Sequence, residues 1–284
     1  MKTPDMEKTD MKKRKFHIRC DMEGVAGVTG MPQVTPGDPE YPQAREWFMR
    51  ELLALVEGLL EGGSDDVSIF DEHWFGRNID IARLPKGVRA CCGKPPYRPD
   101  WAGGLDASCD GLILQGFHSM EGAGHLLSHT YEPDFKAIHI NGKPVGEIGM
   151  ETAVAGDFGV PLVMVAADSA GNAEARALAP GVVTVDTKIS RSPFGAECFA
   201  LRDVLANIRA AAAAVARALP PTAPWKLNPA ELVCAFKPGA YLDGLRQLFP
   251  ALFVAEDSIR INAPTATAAW AEYWQAKLKV QATL

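Results

Sequence analysis

The sequence predicts an α/β protein with a mostly parallel central sheet, flanking helices and a smaller C-terminal α+β subdomain. Short apolar runs, each of a length typical of a buried strand, recur through the first part of the chain. An apolar repeat at helical spacing separates the first two runs, which indicates a βαβ unit with a right-handed crossover. After Pro193 the pattern changes to an alanine-rich stretch followed by shorter segments.

We expect the first domain to span residues 16–194. Its four clearest strands follow from apolar runs at residues 16–20, 67–70, 111–115 and 161–166. Between the first two strands, apolar residues from Trp47 to Leu60 recur at helical spacing, and Gly62-Gly63 provides a stop. Weaker patterns predict further strands near residues 88–90, 136–140 and 182–186, and helices over residues 146–157 and 170–179. The proline-rich residues 31–42 are expected to form a loop.

The remaining residues, 195–284, are expected to form the α+β subdomain, which frames the site or makes oligomer contacts. Its predicted helices cover residues 196–218, 239–248 and 265–279, and its predicted strands cover residues 231–236, 251–254 and 258–262. At the other end of the chain, residues 1–15 are charged and lack the apolar core of a signal peptide, which predicts a disordered tail.

Composition limits the classes of partner. The formal net charge of −6 gives no basic surface for nucleic acid, so no nucleic-acid partner is expected. No run of about 18 apolar residues occurs, so no membrane partner is expected either. The six cysteines include no C-x-x-C pair and are typical of small buried residues in a reducing compartment, which predicts a cytoplasmic location.

Carboxylates and histidines follow the predicted strands. Asp21 and Glu23 follow the first strand, His73 the second and His118 the third. Because the carboxyl ends of parallel strands meet at one edge of a sheet, we expect these side chains to lie close together. With Glu147 they make five ligands of the type that zinc prefers, which is the number that a two-metal site needs. A single histidine at a strand end is more often structural, but several in register favour a metal site.

The order of five motifs adds a family resemblance. The motifs are Asp21-Met22-Glu23-Gly24-Val25-Ala26-Gly27, Asp71-x-His73, Gly116-Phe117-His118, Ser128-His129 and Asn141-x-x-Pro144-Val145-Gly146-Glu147-Ile148-Gly149. Together they resemble the zinc-dependent D-aminopeptidase family, typified by the bacterial dipeptide-operon enzyme. The resemblance covers about residues 16–192 and extends only loosely into the C-terminal third.

The resemblance implies a role for each matched residue. Asp21 is similar to the carboxylate that bridges two zinc ions. The other implied ligands are Glu23 and His73 for the first zinc ion, and His118 and Glu147 for the second. His129 matches a histidine that takes part in catalysis without binding metal. The resemblance also implies a homo-oligomer, a decamer of stacked rings whose sites face an inner channel.

These expectations define the leading functional hypothesis, a di-zinc aminopeptidase that uses metal-activated water to release the amino-terminal residue of short peptides. The preference for D- or L-residues stays open, and Mn²⁺ or Co²⁺ would suit the same ligands. One alternative is a metal-dependent amidase or deacylase that acts on small amino-acid amides. The other is a non-catalytic scaffold stabilised by metal.

Three further residues are candidates for roles around the metals. Asp71 is expected to orient His73. Asp168, at the end of the fourth strand, is expected either to bind a substrate amine or to cap the following helix. His125 precedes His129 by four residues and could share a helical face with it, either exposed to solvent or at the rim of the substrate site.

Overall fold

The computed structural model of the protein describes residues 13–284. In chain order, the strands are β1 (Lys15–Cys20), β2 (Asp66–Asp71), β3 (Arg89–Cys91), β4 (Gly111–Phe117), β5 (Phe135–Ile140), β6 (Lys143–Val145), β7 (Leu162–Ala167), β8 (Val183–Asp186), β9 (Lys188–Ser192), β10 (Gly195–Cys198), β11 (Ala230–Phe236), β12 (Phe253–Ala255) and β13 (Ser258–Ala263). The helices are α1 (Met31–Val34), α2 (Tyr41–Glu61), α3 (Glu147–Asp157), α4 (Ser169–Leu178), α5 (Leu201–Arg217), α6 (Ala240–Leu248) and α7 (Ala266–Gln281), with short 3₁₀ turns at Ile81–Arg83 and Pro250–Leu252.

The first sheet has the strand order β3-β2-β1-β4-β7-β8, and each neighbouring pair is parallel. This arrangement confirms the predicted α/β class with a parallel central sheet. Strand β1 lies at the centre, between β2 and β4, so the carboxyl ends of these three strands are adjacent. The candidate ligands that follow them therefore meet at one edge, as the sequence predicts.

Helices α2 and α5 cover one face of the parallel sheet. Phe48 and Leu52 of α2 and Ile208 of α5 are fully buried in the same core as Phe16 and Ile18 of β1. The two helices approach closely because α2 carries a glycine at the contact. A Cβ atom added to Gly58 would lie 2.3 Å from the carbonyl oxygen of Arg209. Helix α5 therefore packs in the same layer as α2.

The second sheet is antiparallel, with the strand order β12-β13-β11-β5-β6. Strands β5 and β6 come from the part of the chain before residue 194, whereas the other three strands come after it. The predicted division at residue 194 thus does not coincide with the division between the sheets. The physical reason is that β11, whose residues alternate between buried and half-buried, pairs with β5 across a long sequence separation. Helix α3 contacts β4 on one side and α7 on the other.

The structure differs from the sequence prediction in local details of two segments. Residues 195–198 form β10, which pairs with β9, so the alanine-rich helix begins only at Leu201. The turn between the two strands contains Pro193, which does not favour a helix at that point. Residues 31–34 form the short helix α1 within the predicted loop.

The predicted tail lies mostly outside the described residues, which begin at 13, and Lys15 already belongs to β1. Among residues 13–284, no helix combines the length and the apolar character needed to cross a membrane.

Candidate metal centre

Two groups of potential metal ligands lie at the carboxyl edge of the parallel sheet. Asp21, Glu23 and His73 form the first group, and His118, His129 and Glu147 form the second. Within each group the ligand atoms lie within 4.8 Å of one another. The structure therefore brings together all five predicted ligands and the predicted catalytic histidine. The five ligands are only 2–6% exposed, which is costly for ionisable groups unless they are paired or bind an ion.

The turn after β1 places Asp21 and Glu23 against the end of β4. The amide of Asp21 donates to the carbonyl of Gln115 at 2.8 Å, and the amide of Gly24 donates to that of Gly116 at 2.7 Å. A Cβ atom on Gly24 would lie 1.7 Å from the carbonyl oxygen of Phe117, so only glycine permits this approach. The glycine after the two carboxylates therefore brings them close to His118.

The carboxylate of Asp21 faces both groups. Its Oδ1 lies 2.9 Å from Nδ1 of His73, and its Oδ2 lies 3.4 Å from Nε2 of His118. One carboxylate whose two oxygens point to histidines of different groups has the geometry of a bridging ligand. The geometry agrees with the bridging role that the family resemblance implies.

Each of the two buried histidines uses one ring nitrogen to bind a backbone carbonyl. Nε2 of His73 donates to the carbonyl of Val34 at 2.6 Å, which leaves Nδ1 facing Asp21 and Glu23. Nδ1 of His118 donates to the carbonyl of Ser119 at 3.0 Å, which leaves Nε2 facing Asp21 and Glu147. A carbonyl only accepts, so it fixes the tautomer, and metal-binding histidines are held in this way.

Two buried atoms at the centre have no hydrogen-bond partner among the described residues. They are Nε2 of His118 and Oε2 of Glu23. An unpaired buried polar atom is costly, and a cation between the imidazole and the carboxylates would satisfy both. The donor set of carboxylate oxygens and imidazole nitrogens therefore fits a pair of divalent metal ions.

The electrostatics of the protein without metal show where positive charge is favoured. Burial lowers the pKa of His73, but the charges of Glu23 and Asp21 outweigh it and hold that pKa well above its usual range. Burial likewise lowers the pKa of His118, and Glu147 and Asp21 raise it well above the usual range. In the protein without metal, protons on these rings supply the positive charge that metal ions would otherwise supply. Metal binding must therefore release these protons.

His129 differs from the other five residues because its side chain is 28% exposed. Its ring stacks on that of His118, with centroids 4.2 Å apart and an angle of 7° between the planes. Its Nδ1 donates to the carbonyl of Leu127 at 2.9 Å, and its Nε2 lies 3.8 Å from Oε1 of Glu147. This geometry gives Nε2 access both to the centre and to solvent. The catalytic role of His129 stays a prediction.

Asp71 occupies a different position from the one expected. Its carboxylate accepts from the backbone amides of Asn78 at 2.7 Å and His73 at 3.3 Å, and it makes no hydrogen bond to the His73 ring. It thus fixes the turn that carries His73, while Val34 holds the ring. Sequence analysis missed Val34 because a main-chain carbonyl leaves no signal in the choice of side chain.

Asp168 and His125 lie outside both groups. Asp168 is fully buried and caps α4, since its side chain accepts from the amide of Gly171 at 2.7 Å. His125 is exposed and lies in a loop, so it shares no helical face with His129. It lines an open cavity of about 270 Å³ together with Met120 and Lys143.

Two further buried charges support the loop that carries the first ligands. Nζ of Lys188 donates to the carbonyls of Glu23 at 2.6 Å and Val25 at 2.8 Å. Glu51 of α2 accepts from the amide of Ala26 at 2.8 Å. Burial lowers the pKa of Lys188 to about 8 and raises the pKa of Glu51 to about 7. Sequence analysis missed Glu51, although a carboxylate beside Leu52 on an apolar helical face was a visible signal.

Glu51→Gln is expected to change how stability depends on pH. Burial raises the pKa of Glu51 from 4.5 to about 7, so its contribution to stability is fully present below pH 4.5 and is lost as the pH rises through 7. The glutamine stays neutral over this range. The free energy of unfolding of the variant, relative to that of the wild type, should therefore increase by about 3 kcal/mol as the pH rises from 4.5 to above 7. Gln115 can rotate to pair with it, since its own Oε1 has no partner among the described residues.

Urea unfolding of both proteins at pH 4.5, 6 and 8 measures this difference. Glu272→Gln, which removes an exposed carboxylate of α7 that makes no ion pair among the described residues, is the control and should show no comparable trend. A difference between Glu51→Gln and wild type that stays constant with pH would contradict the assignment.

Comparison with known proteins decides the family. The family model described as D-aminopeptidase matches residues 14–272. The chain belongs to the D-aminopeptidase family. This membership confirms the resemblance that the five motifs indicate.

This chain is similar to one known protein in sequence and to one solved structure in fold. A D-aminopeptidase of Bacillus subtilis (strain 168) is 30% identical over 181 residues, which make up 63% of this chain and 65% of the relative. A solved structure, the Zn-dependent D-aminopeptidase DppA from Bacillus subtilis, described as a self-compartmentalizing protease, superposes with a TM-score of 0.82. That alignment covers 94% of this chain and 97% of the other at 23% identity. The similarity confirms the predicted fold for this family member.

Proposed function

We propose that the protein is a zinc-dependent aminopeptidase, which hydrolyses the bond after the amino-terminal residue of short peptides. The observation that carries this proposal is the Asp21 carboxylate, which faces a histidine of each ligand group. Membership of the D-aminopeptidase family and the similarity to a zinc-dependent structure support it.

The two groups divide the ligands between two metals. Asp21, Glu23 and His73 would hold one zinc ion, and Asp21, His118 and Glu147 would hold the other. Mn²⁺ and Co²⁺ suit the same donors. When bound, the metals supply Lewis acidity, which polarises the scissile carbonyl and lowers the pKa of water.

His129 has the geometry for moving the proton. With Nδ1 bonded to the carbonyl of Leu127, its Nε2 carries the lone pair and accepts a proton from the attacking water. The same nitrogen then donates that proton to the leaving amine, which cannot depart as an anion. Stacking on His118 keeps the ring oriented.

The proposal is tested by measuring metal and activity on one preparation. Mass spectrometry of the purified protein should find close to two zinc ions per chain. D-alanyl and L-alanyl dipeptides and amides then form the substrate panel, and release of the amino-terminal D-residue from the dipeptides is the expected result. Turnover of amides alone would indicate an amidase, and bound zinc without turnover would indicate a scaffold. Absence of zinc and of turnover would overturn the proposal.

We also propose that the chain acts as a homo-oligomer in the cytoplasm. The relative described as a self-compartmentalizing protease supports the oligomer. Light scattering should give a multiple of the 30.6 kDa chain mass, and a decamer would give about ten times that value. A monomer in solution would contradict it.

A further inference from the structure

A buried group of charged and phenolic side chains lies next to the metal centre. We name it the Arg19 cluster, and its members are Arg19, Glu72, Tyr97 and Glu151. The guanidinium of Arg19 forms ion pairs with Glu72, at 3.1 Å, and with Glu151. The hydroxyl of Tyr97 lies within hydrogen-bond distance of both carboxylates, at 3.0 and 3.1 Å, and its one proton serves either of them. All four side chains are at most 4% exposed, so removing one member of an ion pair would leave its partner as a buried unpaired charge, which is costly.

The charged members of the cluster are close in sequence to metal ligands. Arg19 precedes Asp21 by two residues on β1, and Glu72 directly precedes His73. Glu151 lies one helical turn after Glu147 on α3. The cluster thus joins the backbone segments that carry the first ligand group to the helix that carries a ligand of the second.

Tyr131 connects this cluster to the loop that carries His129. Its backbone amide donates to Oε1 of Glu147 at 2.7 Å, and its hydroxyl donates to Oε1 of Glu151, also at 2.7 Å. Oε1 of Glu147 is the oxygen that faces Nε2 of His118 and of His129. Tyr131 therefore bonds two glutamates on successive turns of one helix, two residues after the predicted catalytic histidine.

The conformation of Tyr131 is itself unusual. Its φ is +55°, in the left-handed region, which a bulky side chain rarely adopts. Such a conformation persists only where the surroundings hold it, and it is frequent at functional sites. The ring packs on Trp270 with centroids 4.8 Å apart, and the hydroxyl is anchored by a carboxylate that Arg19 fixes. Packing and hydrogen bonding together thus hold the strained backbone beside Glu147.

We propose that Tyr131 is a positioning residue of the metal centre. Its hydroxyl, anchored on Glu151, keeps its backbone amide on Glu147 and so fixes Glu147 and His129 relative to the second metal. The inference rests on the proposed function, since it assigns a residue that supports the zinc site. It goes beyond the ligand set because it explains how the His129 loop is held to α3.

Tyr131→Phe tests the inference, because it removes one hydroxyl and keeps the ring on Trp270. We expect the variant to release one of its two zinc ions at an about tenfold lower chelator concentration than the wild type. We expect kcat to fall by about tenfold while KM stays within about twofold, since the metal ligands and the substrate pocket remain. Chelator titration with a zinc-sensitive dye and steady-state kinetics on an alanyl dipeptide measure the two effects.

Tyr241→Phe is the matched control. Its hydroxyl is also buried and bonds that of Tyr273 at 3.0 Å, in the core beside the second sheet. It should leave the zinc titration and kcat of the wild type unchanged even if it lowers the unfolding temperature. The inference is overturned if Tyr131→Phe retains zinc and kcat as the wild type does, or if Tyr241→Phe shows the same losses. Wild-type protein with neither zinc nor turnover would instead refute the proposed function.

Discussion

Asp21→Ala is expected to lose both metals and all measurable turnover. The carboxylate faces His73 with one oxygen and His118 with the other, so its removal takes a ligand from each group at once. The first group then retains Glu23 and His73, and the second retains His118 and Glu147, with His129 as a third ligand if it also binds. We expect zinc content to fall from about two ions per chain to near zero after gel filtration, and kcat to fall by at least about 10³-fold.

Asp168→Asn is the control for this experiment. It alters another buried carboxylate that follows a strand of the same sheet, and asparagine can still cap α4. We expect it to keep both zinc ions and its activity. If Asp21→Ala retains two zinc ions, Asp21 is not the shared ligand. If Asp168→Asn loses substrate binding, the alternative role of Asp168 with the substrate amine regains support.

His129→Ala is expected to separate metal binding from turnover. The five buried ligands remain, so zinc content should stay near two ions per chain. Turnover should fall by about 10²–10⁴-fold, because no other group replaces the proton transfer that we assign to Nε2. Mass spectrometry for zinc and steady-state kinetics on the same preparation give both values.

His125→Ala gives the matched control, since this histidine is exposed on the same loop and lies outside both ligand groups. It should retain zinc and turnover. Loss of one zinc ion from His129→Ala would instead make His129 a metal ligand, which its position within the second group permits. Retained turnover would show that the catalytic assignment is wrong.

The candidate site could be predicted largely from the sequence, because its candidate ligands are side chains and their residue types are visible in the sequence. Short apolar runs fixed the positions of β1, β2 and β4, and polar residues directly after them had to meet at one edge. The same rule predicts that Asp21, His73 and His118 lie close together. His129 depended on the family resemblance, and Glu147, which follows no strand of the parallel sheet, was predicted only as the fifth ligand that a two-metal site needs.

Other parts of the structure could not be predicted in this way. The His73 ring is held by the backbone carbonyl of Val34. Every residue has such a carbonyl, so the sequence does not reveal which one accepts the hydrogen bond. The Arg19 cluster depends on four segments that meet only in the folded chain. The antiparallel sheet could not be assembled from the sequence, because β5 pairs with a strand far along the chain. Periodicity reports which face of a strand is buried, but it does not report the partner.

The pairing of β5 with β11 also affects how the protein is made. During synthesis β5 and β6 emerge well before β11, so one edge of β5 lacks its partner while the intervening chain is translated. An unpaired edge with a buried apolar face, such as that of Phe135 and Ile138, favours association with other nascent chains. A fragment that stops before β11 should therefore aggregate, although it contains every proposed metal ligand. Ribosome-bound chains of increasing length should become resistant to protease only once β11 has left the exit tunnel.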